Sequence, residues 1–210
     1  MRDNGGVDPQ EVERLQALVR GRLAQFAQAG GYIKSSGQER GAPKWLLAAR
    51  EQFKAARVWR LAGEQEHWQE MMWDALGAVG DPHHRLSVAF GPSGTMVGAA
   101  SYRKQHYDEN RRMDRLYPEA YLAHIGTNGA LRGAGTALLL EVAKLALAAE
   151  RPAFAYVSRA GGFYAELGWE MIKADPSNDY WLWPLEACME VVAAAEKDEQ
   201  GLGKEPAGVD

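Results

Sequence analysis

The sequence predicts an α/β fold in which helices pack on a central sheet. Three segments place apolar residues at the spacing of amphipathic helices, a hairpin pattern follows, and a strand, a glycine turn, a helix and a second strand come next. The chain has 210 residues, 46% hydrophobic and 25% charged, which is typical of one globular domain with appendages. It has no uninterrupted run of about 18 apolar residues and no signal-peptide pattern, so we expect a cytoplasmic protein that does not enter a membrane.

The first two predicted helices form a helical N-terminal extension over residues 1–55. One runs over 8–29, where Asp8 and Pro9 provide an N-cap and a first-turn proline. The other begins after Pro43. Apolar residues recur at helical spacing in both: Val12, Leu15, Val19, Leu23 and Phe26 in the first, and Trp45, Ala49, Phe53 and Ala56 in the second.

Residues 56–196 are predicted to form the main domain. It opens with a short strand over 57–62 and the clearest amphipathic helix of the chain, over 64–79. A hairpin over 85–102 follows, turning at a Gly-Pro-Ser-Gly segment. The polar connection over 104–118 is either a mobile surface link or a segment that shapes substrate choice.

The most informative segment is a predicted strand over 121–127 that leads into a glycine-bearing turn and a helix. The turn runs from Arg132 to Ala137, and the helix continues to residue 149. A turn with little side-chain bulk at a helix start leaves several backbone N–H groups free, with the positive end of the helix dipole behind them. The segment therefore predicts an anion site.

The last predicted elements complete the sheet. A nearly all-apolar run over 152–158 indicates a strand buried on both faces. A short helix holding Phe163 and Tyr164 follows, and strands are predicted over 169–172 and 180–183. We expect residues 197–210 to be a disordered tail.

The spacing of the glycine turn excludes two common anion ligands. A dinucleotide fingerprint would place a small residue three positions after Gly135, where Leu138 stands, and no acidic residue follows the next strand to hold a ribose. The Gly-Lys-Ser/Thr sequence of a P-loop does not occur. We therefore expect neither a nicotinamide dinucleotide nor a nucleoside triphosphate.

Two motifs resemble those of the GCN5-related N-acetyltransferase (GNAT) superfamily. The family's pyrophosphate loop, Q/R-x-x-G-x-G/A, is matched by Arg132, Gly135 and Ala137. Its later motif, an Ala followed four residues on by Tyr and then by Leu-Gly-Phe, is matched by Ala160, Tyr164, Leu167, Gly168 and Trp169. The motifs stand in the family's order, and with the upstream hairpin the resemblance covers roughly 56–186. It implies a mixed, mostly antiparallel central sheet flanked by helices.

The resemblance also implies that acetyl-CoA is the cosubstrate and that no metal is needed. Backbone N–H groups of the turn would bind the pyrophosphate, namely those of Arg132, Gly133, Ala134, Gly135, Thr136 and Ala137. The pantetheine arm would lie in the gap between two diverging strands, against the backbone of Ile125, Gly126 and Thr127. Many family members carry an Asn where this chain has Val157, and Ser158 beside it is the candidate contact.

Two residues are the candidate catalytic groups. Tyr164 matches the family's general acid, and a phenol with the usual pKa of about 10 is protonated at neutral pH and can donate to a thiolate. The alternative for Tyr164 is an aromatic packed under the sheet. His124 is the candidate base, but it stands eight positions before Arg132, where strand alternation turns it away unless a bulge intervenes. Glu119 and Tyr121 are alternative bases.

The sequence therefore predicts acetyl transfer from acetyl-CoA to a primary amine by direct attack, with an acceptor of unknown class. The alternative is a catalytically silent GNAT-fold module that docks a protein or nucleic acid through its N-terminal helices. The basic excess of the first 62 residues leaves nucleic acid open, although scattered arginines are more often a solvated face. The tryptophans around 45–73 form either core or the interface of a homo-oligomer.

A structural metal is not expected. Cys188 is the only cysteine, so no cysteine cluster can hold zinc. His83 and His84 are adjacent in a turn and lack partners at ligand spacing.

Overall fold

The computed structural model describes residues 8–36, 43–57, 76, 84–103, 120–157, 161–174 and 179–199. In chain order the described elements are α1 (Pro9–Gln28), β1 (Tyr32–Ser35), α2 (Lys44–Arg57), β2 (His84–Phe90), β3 (Met96–Arg103), β4 (Ala120–Thr127), α3 (Ala134–Ala149), β5 (Ala153–Val157), α4 (Gly161–Glu166), β6 (Glu170–Lys173), β7 (Asp179–Trp183) and α5 (Leu185–Glu199). The predicted α/β fold class is confirmed.

The described strands form one seven-stranded sheet in the order β1-β2-β3-β4-β5-β7-β6. Adjacent strands are antiparallel except for β4 and β5, which are parallel. Parallel neighbours need a crossover connection, and α3 supplies it. The sheet is therefore mixed and mostly antiparallel, as the sequence resemblance implies.

Helices cover the sheet on both faces. On one face α3 packs against β3 and β4, while α1 and α5 pack on each other and on α3. On the other face α2 places Leu46, Ala49 and Phe53 against apolar residues of β2 and β3, and the helical residue Leu76 belongs to the same cluster. The larger core lies on the α3 face.

The predicted start of α1 is correct in detail. The backbone N–H of Gln10 donates to the Asp8 carboxylate at 3.0 Å, and Pro9 occupies the first turn, where no N–H is required. The helix ends before Gly30, whose φ of +72° is a conformation that favours glycine.

The sequence analysis missed two elements, β1 and α5, and it predicted a strand where α2 ends. Strand β1 has only four residues, mostly exposed, so it lacks the alternating pattern that marks a half-buried strand. Helix α5 was missed although Cys188, Val191 and Ala195 are buried at helical spacing. Arg57 ends α2 instead of opening a strand, and the rest of the predicted strand over 57–62 lies outside the described residues.

Other predictions fall partly or wholly outside the described residues. Of the helix predicted over 64–79 only Leu76 is described, and the connection over 104–118 is not described. Helix α5 includes the first three residues of the predicted tail over 197–210. The division of the chain into extension, main domain and tail stays a prediction, while α1 and β1 share a core and a sheet with the later elements.

No helix among the described residues is both long and apolar enough to cross a membrane.

Candidate active site

The parallel strands β4 and β5 pair only at their beginnings. The paired positions are Ala120 with Ala153, Tyr121 with Phe154, and Leu122 with Ala155. Beyond these pairs, β4 continues along β3 to Thr127, and β5 continues along β7 to Val157. The two strands therefore part after Leu122 and leave a gap between them.

A β-bulge lies at the point where the strands part. Ser101 pairs with His124, whereas the next residue of β3, Tyr102, pairs with Leu122, so Ala123 is the extra residue of β4. Leu122 belongs to the core on the α3 face. Without the bulge, strand alternation would turn His124 to that same face. With it, His124 shares a face with Ser101, opposite α3.

Helix α3 begins at a candidate anion cradle, defined here as residues 132–136, in which Arg132 is exposed, Gly133 and Gly135 are half-buried, and Ala134 and Thr136 are buried. Among the described residues, the backbone N–H groups of Arg132, Gly133, Gly135 and Thr136 donate to no backbone carbonyl, whereas that of Ala137 donates to the Gly133 carbonyl at 2.9 Å. The N-cap Gly133 has φ of +86° and provides no side-chain cap. The free N–H groups and the helix dipole together favour an anion here.

Helix α1 braces this cradle, which the sequence did not reveal. A Cβ atom on Gly133 would lie 1.9 Å from the carbonyl oxygen of Arg22. The Arg22 guanidinium carbon lies 5.5 Å from the centre of the Phe163 ring, and its Nη2 pairs with Glu166. Phe163 in turn lies 3.1 Å from where a Cβ of Gly135 would be. Arg22 therefore lies against Gly133 through its carbonyl and contacts α4 through its side chain, and Phe163 of α4 in turn lies beside Gly135.

Tyr164 lies in an aromatic cluster on the α3 face of the sheet. It is 6% exposed, and its ring meets those of Trp169 and Phe163 edge-on, with centroids 5.3 and 5.5 Å apart. Burial raises the pKa of the Tyr164 phenol well above its usual value. Its hydroxyl is therefore protonated across the neutral range.

His124 lies on the opposite face in a polar setting. Its Nδ1 is 3.1 Å from Oγ of Ser101, a fully buried residue. On the same face, the Arg103 guanidinium carbon lies 5.0 Å from the centre of the Tyr121 ring. Burial raises the pKa of Tyr121, and the charge of Arg103 opposes that shift.

A mixed sheet whose parallel strands part beside a glycine cradle is the arrangement that the sequence resemblance implies. The described sheet, mixed and flanked by helices, agrees with the fold that the resemblance to the GCN5-related N-acetyltransferases implies. A histone acetyltransferase HPA2 and related acetyltransferase from Corynebacterium glutamicum is similar to it at 16% identity, over 73% of this chain and 96% of that one, with a TM-score of 0.46. Tetrahymena GCN5 is similar at 17% identity, over 72% of this chain and 93% of that one, with a TM-score of 0.44. FdhC, a nucleotide-linked sugar GNAT, is similar at 11% identity, over 80% and 93%, with a TM-score of 0.49.

No protein-family model and no curated protein matches the sequence.

The structure brings most of the predicted donor-site residues to one end of the gap. Ile125, Gly126 and Thr127 form the part of β4 that has left β5, and their other side pairs with β3. Ala134 and Ala137 are buried at the start of α3. Thr136 is also buried, and its Oγ1 has no hydrogen-bond partner among the described residues.

Three residues of the predicted site and motifs are not described by the structure. Ser158 lies outside the described residues, as do Glu119 and Ala160. Arg132 is exposed, as a cation beside a bound phosphate would be.

The described residues include no group of three or more His, Cys, Asp or Glu side chains that could hold a metal ion. Cys188 is buried, and burial raises the pKa of its thiol to about 12. A thiol so far from ionisation is a packing residue and not a nucleophile.

Proposed function

We propose that this protein is an N-acetyltransferase that moves an acetyl group from acetyl-CoA to a primary amine by direct attack. The observation that carries the proposal is the gap between β4 and β5, which opens beside the free N–H groups of residues 132–136. A slender arm that ends in a thioester and begins at a diphosphate fits a gap of this kind with an anion cradle at one end.

The donor would be held mainly by backbone. The N–H groups of Arg132, Gly133, Gly135 and Thr136 would bind the pyrophosphate, with the exposed Arg132 side chain as a nearby cation. Backbone groups of Ile125 to Thr127 would contact the pantetheine arm. An N–H of that segment, aimed at the thioester oxygen, would stabilise the negative charge that develops there. Ser158 stays a predicted contact.

The reaction then needs three proton transfers. His124 accepts the proton that the ammonium form of the substrate must lose before it can attack. The neutral nitrogen attacks the thioester carbonyl carbon, the carbon–sulfur bond breaks, and the sulfur leaves with the bonding pair. Tyr164 donates a proton to the departing sulfur, and its oxygen regains one from the nitrogen of the new amide. The products are an amide and the free thiol of coenzyme A. A protonated phenol suits the donation to sulfur, since its raised pKa keeps the proton available at neutral pH.

The alternative of a catalytically silent docking module gains no support from α1. Leu15, Val19 and Phe26 bury its apolar face in the main core, so that face is not available to a partner. A cytoplasmic location and a homo-oligomeric state stay predictions, and the class of the amine acceptor is not assigned.

The experiment that tests the proposal is a calorimetric titration with acetyl-CoA, followed by assay of released thiol with a panel of small amines and lysine peptides. We expect binding in the micromolar range typical of enzyme substrates, about 1 μM to 1 mM, and turnover with at least one amine. The absence of binding at millimolar acetyl-CoA would contradict the proposal. Binding without turnover on any amine would favour the silent module.

A further inference from the structure

A chain of hydroxyl groups runs from a carboxylate on α3 to a buried phenol of the sheet. Ser35 Oγ donates to Oε2 of Glu141 at 2.9 Å and lies 2.7 Å from Ser87 Oγ. Ser87 Oγ in turn lies 2.8 Å from the Tyr102 hydroxyl. Lys144 Nζ donates to the other oxygen of Glu141 at 3.0 Å. The chain ties α3 to β1, β2 and β3, and its bond between Ser35 and Glu141 is called the clamp here.

The hydrogens of this chain all point towards Glu141. A hydroxyl has one hydrogen to donate, and an ionised carboxylate only accepts. Ser35 uses its hydrogen on Glu141, so its oxygen accepts from Ser87. Ser87 therefore accepts from Tyr102. Burial raises the pKa of the Tyr102 phenol to about 12, so Tyr102 keeps the hydrogen that it donates. One carboxylate anchors three hydroxyl groups in a row.

Strand β1 has few other contacts that hold it on the sheet. It is a four-residue edge strand, and every position except Ile33 is exposed. Towards α3 it presents Ile33, which is half-buried against the main core, and Ser35. On the other face Tyr32 stacks on Phe90 with ring centroids 5.3 Å apart, yet it stays 39% exposed. A strand with so little buried apolar surface opens more easily than the rest of the sheet.

A tight corner joins β1 to the end of α1 and to the cradle. The N–H of Gly31 donates to the Phe26 carbonyl at 2.9 Å, and a Cβ on Gly31 would lie 2.3 Å from the Phe26 ring. Phe26 also touches the cradle, since its own Cβ lies 3.1 Å from where a Cβ of Gly133 would be. Residues 26–36, called the strap here, therefore connect the clamp to the N-cap of α3.

We propose that the strap couples the clamp at Glu141 to the anion cradle, so that docking of β1 and binding of acetyl-CoA favour each other. The inference deepens the proposed function and rests on it for the identity of the ligand. When the bond between Ser35 and Glu141 breaks, β1 loosens, Phe26 moves with it, and Gly133 loses a group that fixes its position. Because coupling between two sites is reciprocal, acetyl-CoA on the cradle holds β1 on the sheet in turn.

The chain offers a matched control for the clamp. Glu51 on α2 pairs with Lys54 at 2.6 Å, in the same i, i+3 arrangement as Glu141 with Lys144. No hydrogen bond joins Glu51 to a strand in the described part of the chain. Glu141→Ala and Glu51→Ala each remove one such ion pair, but only Glu141→Ala also removes the clamp. An effect confined to Glu141→Ala therefore belongs to the clamp.

The test is amide hydrogen exchange in the full-length ¹⁵N-labelled protein, followed by NMR without ligand. One reporter is the N–H of Ser36, which donates to a β2 carbonyl at 2.7 Å beside the clamp. The other is the N–H of Ala137, which donates to a carbonyl of the cradle at 2.9 Å. In Glu141→Ala we expect both to exchange about fivefold faster, the factor expected for the loss of one hydrogen bond. In Glu51→Ala both should keep their rates.

Two further measurements separate this coupling from a general loss of stability. The N–H of Trp169, which donates to the Tyr164 carbonyl at 3.1 Å outside the strap and the cradle, should exchange at the same rate in all variants. Ser35→Ala removes the clamp from the side of β1 and should reproduce the effect of Glu141→Ala. The double variant should be no worse than either single one, because both remove the same bond.

Acetyl-CoA provides the reciprocal measurement. At saturation it should slow the exchange of Ser36 in the wild type about fivefold, the lower end of the usual range for coupled sites, although Ser36 lies outside the cradle. The N–H of Glu150, at the far end of α3, donates to the Leu147 carbonyl at 3.0 Å. It should keep its rate, because its local opening leaves the strap docked.

Three results would overturn the proposal. An unchanged rate at Ser36 in Glu141→Ala would show that the clamp does not hold β1. A faster Ser36 beside an unchanged Ala137 would show that the strap does not reach the cradle. Acetyl-CoA that binds by calorimetry and leaves Ser36 unaffected would show that the two sites are independent. The first two results are read without ligand, so they decide the link between clamp and cradle even if acetyl-CoA does not bind and the proposed function fails.

Discussion

The two faces of the sheet at β4 are built from different chemistry. On the α3 face, Tyr164 lies among Trp169, Phe163 and Leu167, and burial alone raises its pKa. On the other face, His124 lies beside the hydroxyl of Ser101. One candidate catalyst is therefore controlled by desolvation and the other by a hydrogen bond.

This difference fits the two opposite tasks that acetyl transfer requires. An acid must keep its proton until a strong base forms beside it, and an apolar cluster favours the neutral phenol. A base must present a lone pair in a fixed direction, and a buried hydrogen-bond partner provides the direction.

The largest effect is expected for the cradle on the α3 face. Gly133→Ala combines a strained backbone, at φ of +86°, with a collision against the Arg22 carbonyl. We expect a loss of about 3 kcal/mol in the free energy of unfolding, since the added atom must displace backbone. Acetyl-CoA binding should fall below detection by calorimetry.

Gly129→Ala is the matched control for that change. Gly129 has φ of +73°, but a Cβ there would have no atom within 4 Å. Gly129→Ala should lower the free energy of unfolding, measured in urea, by only about 1 kcal/mol, which is the strain of a left-handed backbone alone. It should leave acetyl-CoA affinity unchanged. If the two substitutions had equal effects, the contact between α1 and Gly133 would not matter for stability or for acetyl-CoA binding.

The next effect tests Tyr164 as the acid. Tyr164→Phe keeps the ring and its packing, so we expect kcat to fall about 300-fold while acetyl-CoA affinity stays nearly unchanged. Tyr32→Phe, at a partly exposed tyrosine on the sheet edge, is the control and should do nothing. A loss of affinity without a loss of kcat would assign Tyr164 to packing.

The role of Tyr164 as an acid also predicts how activity should change with pH. Because burial raises the folded-state pKa of Tyr164, its ionisation should remove activity only above about pH 10, the usual value for a phenol. An alkaline limb below pH 9 that disappears in Tyr164→Phe would contradict this.

A smaller effect is expected on the other face. His124→Gln should lower kcat/KM about 100-fold at pH 7, where most of an amine with a pKa of about 10 is protonated and needs a base. The deficit should shrink as the pH approaches 10, because the amine then loses its proton to solvent. A deficit that is constant over this range would indicate a structural histidine.

The smallest effect concerns the arginine that joins α1 to α4. Arg22→Ala removes the ion pair with Glu166 and the contact with Phe163, so we expect acetyl-CoA affinity to fall about fivefold. Arg14→Ala, on the exposed side of the same helix, is the control. Equal affinities for the two variants would show that the brace is supplied by the backbone of α1 alone.

The sequence predicted the local features of the site well, because they depend on neighbouring residues. The glycine turn, α3 and the two strands beside it follow from short patterns of apolar residues and glycine. The sequence analysis could say only that His124 would face the site if a bulge were present. It could not locate the bulge, because alanine at the extra position, Ala123, is not a residue type that marks a bulge.

Long-range contacts were beyond reach of the sequence. Nothing near Gly133 indicates that the carbonyl of Arg22, more than 100 residues earlier, closes on it. The four-residue β1 was missed because its position at the sheet edge leaves most of its side chains exposed, without the alternation that identifies a strand.

The central claim is that acetyl-CoA lies in the gap with its diphosphate on residues 132–136, and amide NMR tests it most directly. On titration of the full-length ¹⁵N-labelled protein with acetyl-CoA, the account predicts saturable shifts for the N–H signals of Arg132, Gly133, Gly135 and Thr136 and for those of Ile125 to Thr127. Shifts confined to other parts of the chain, or none at millimolar ligand, would contradict it.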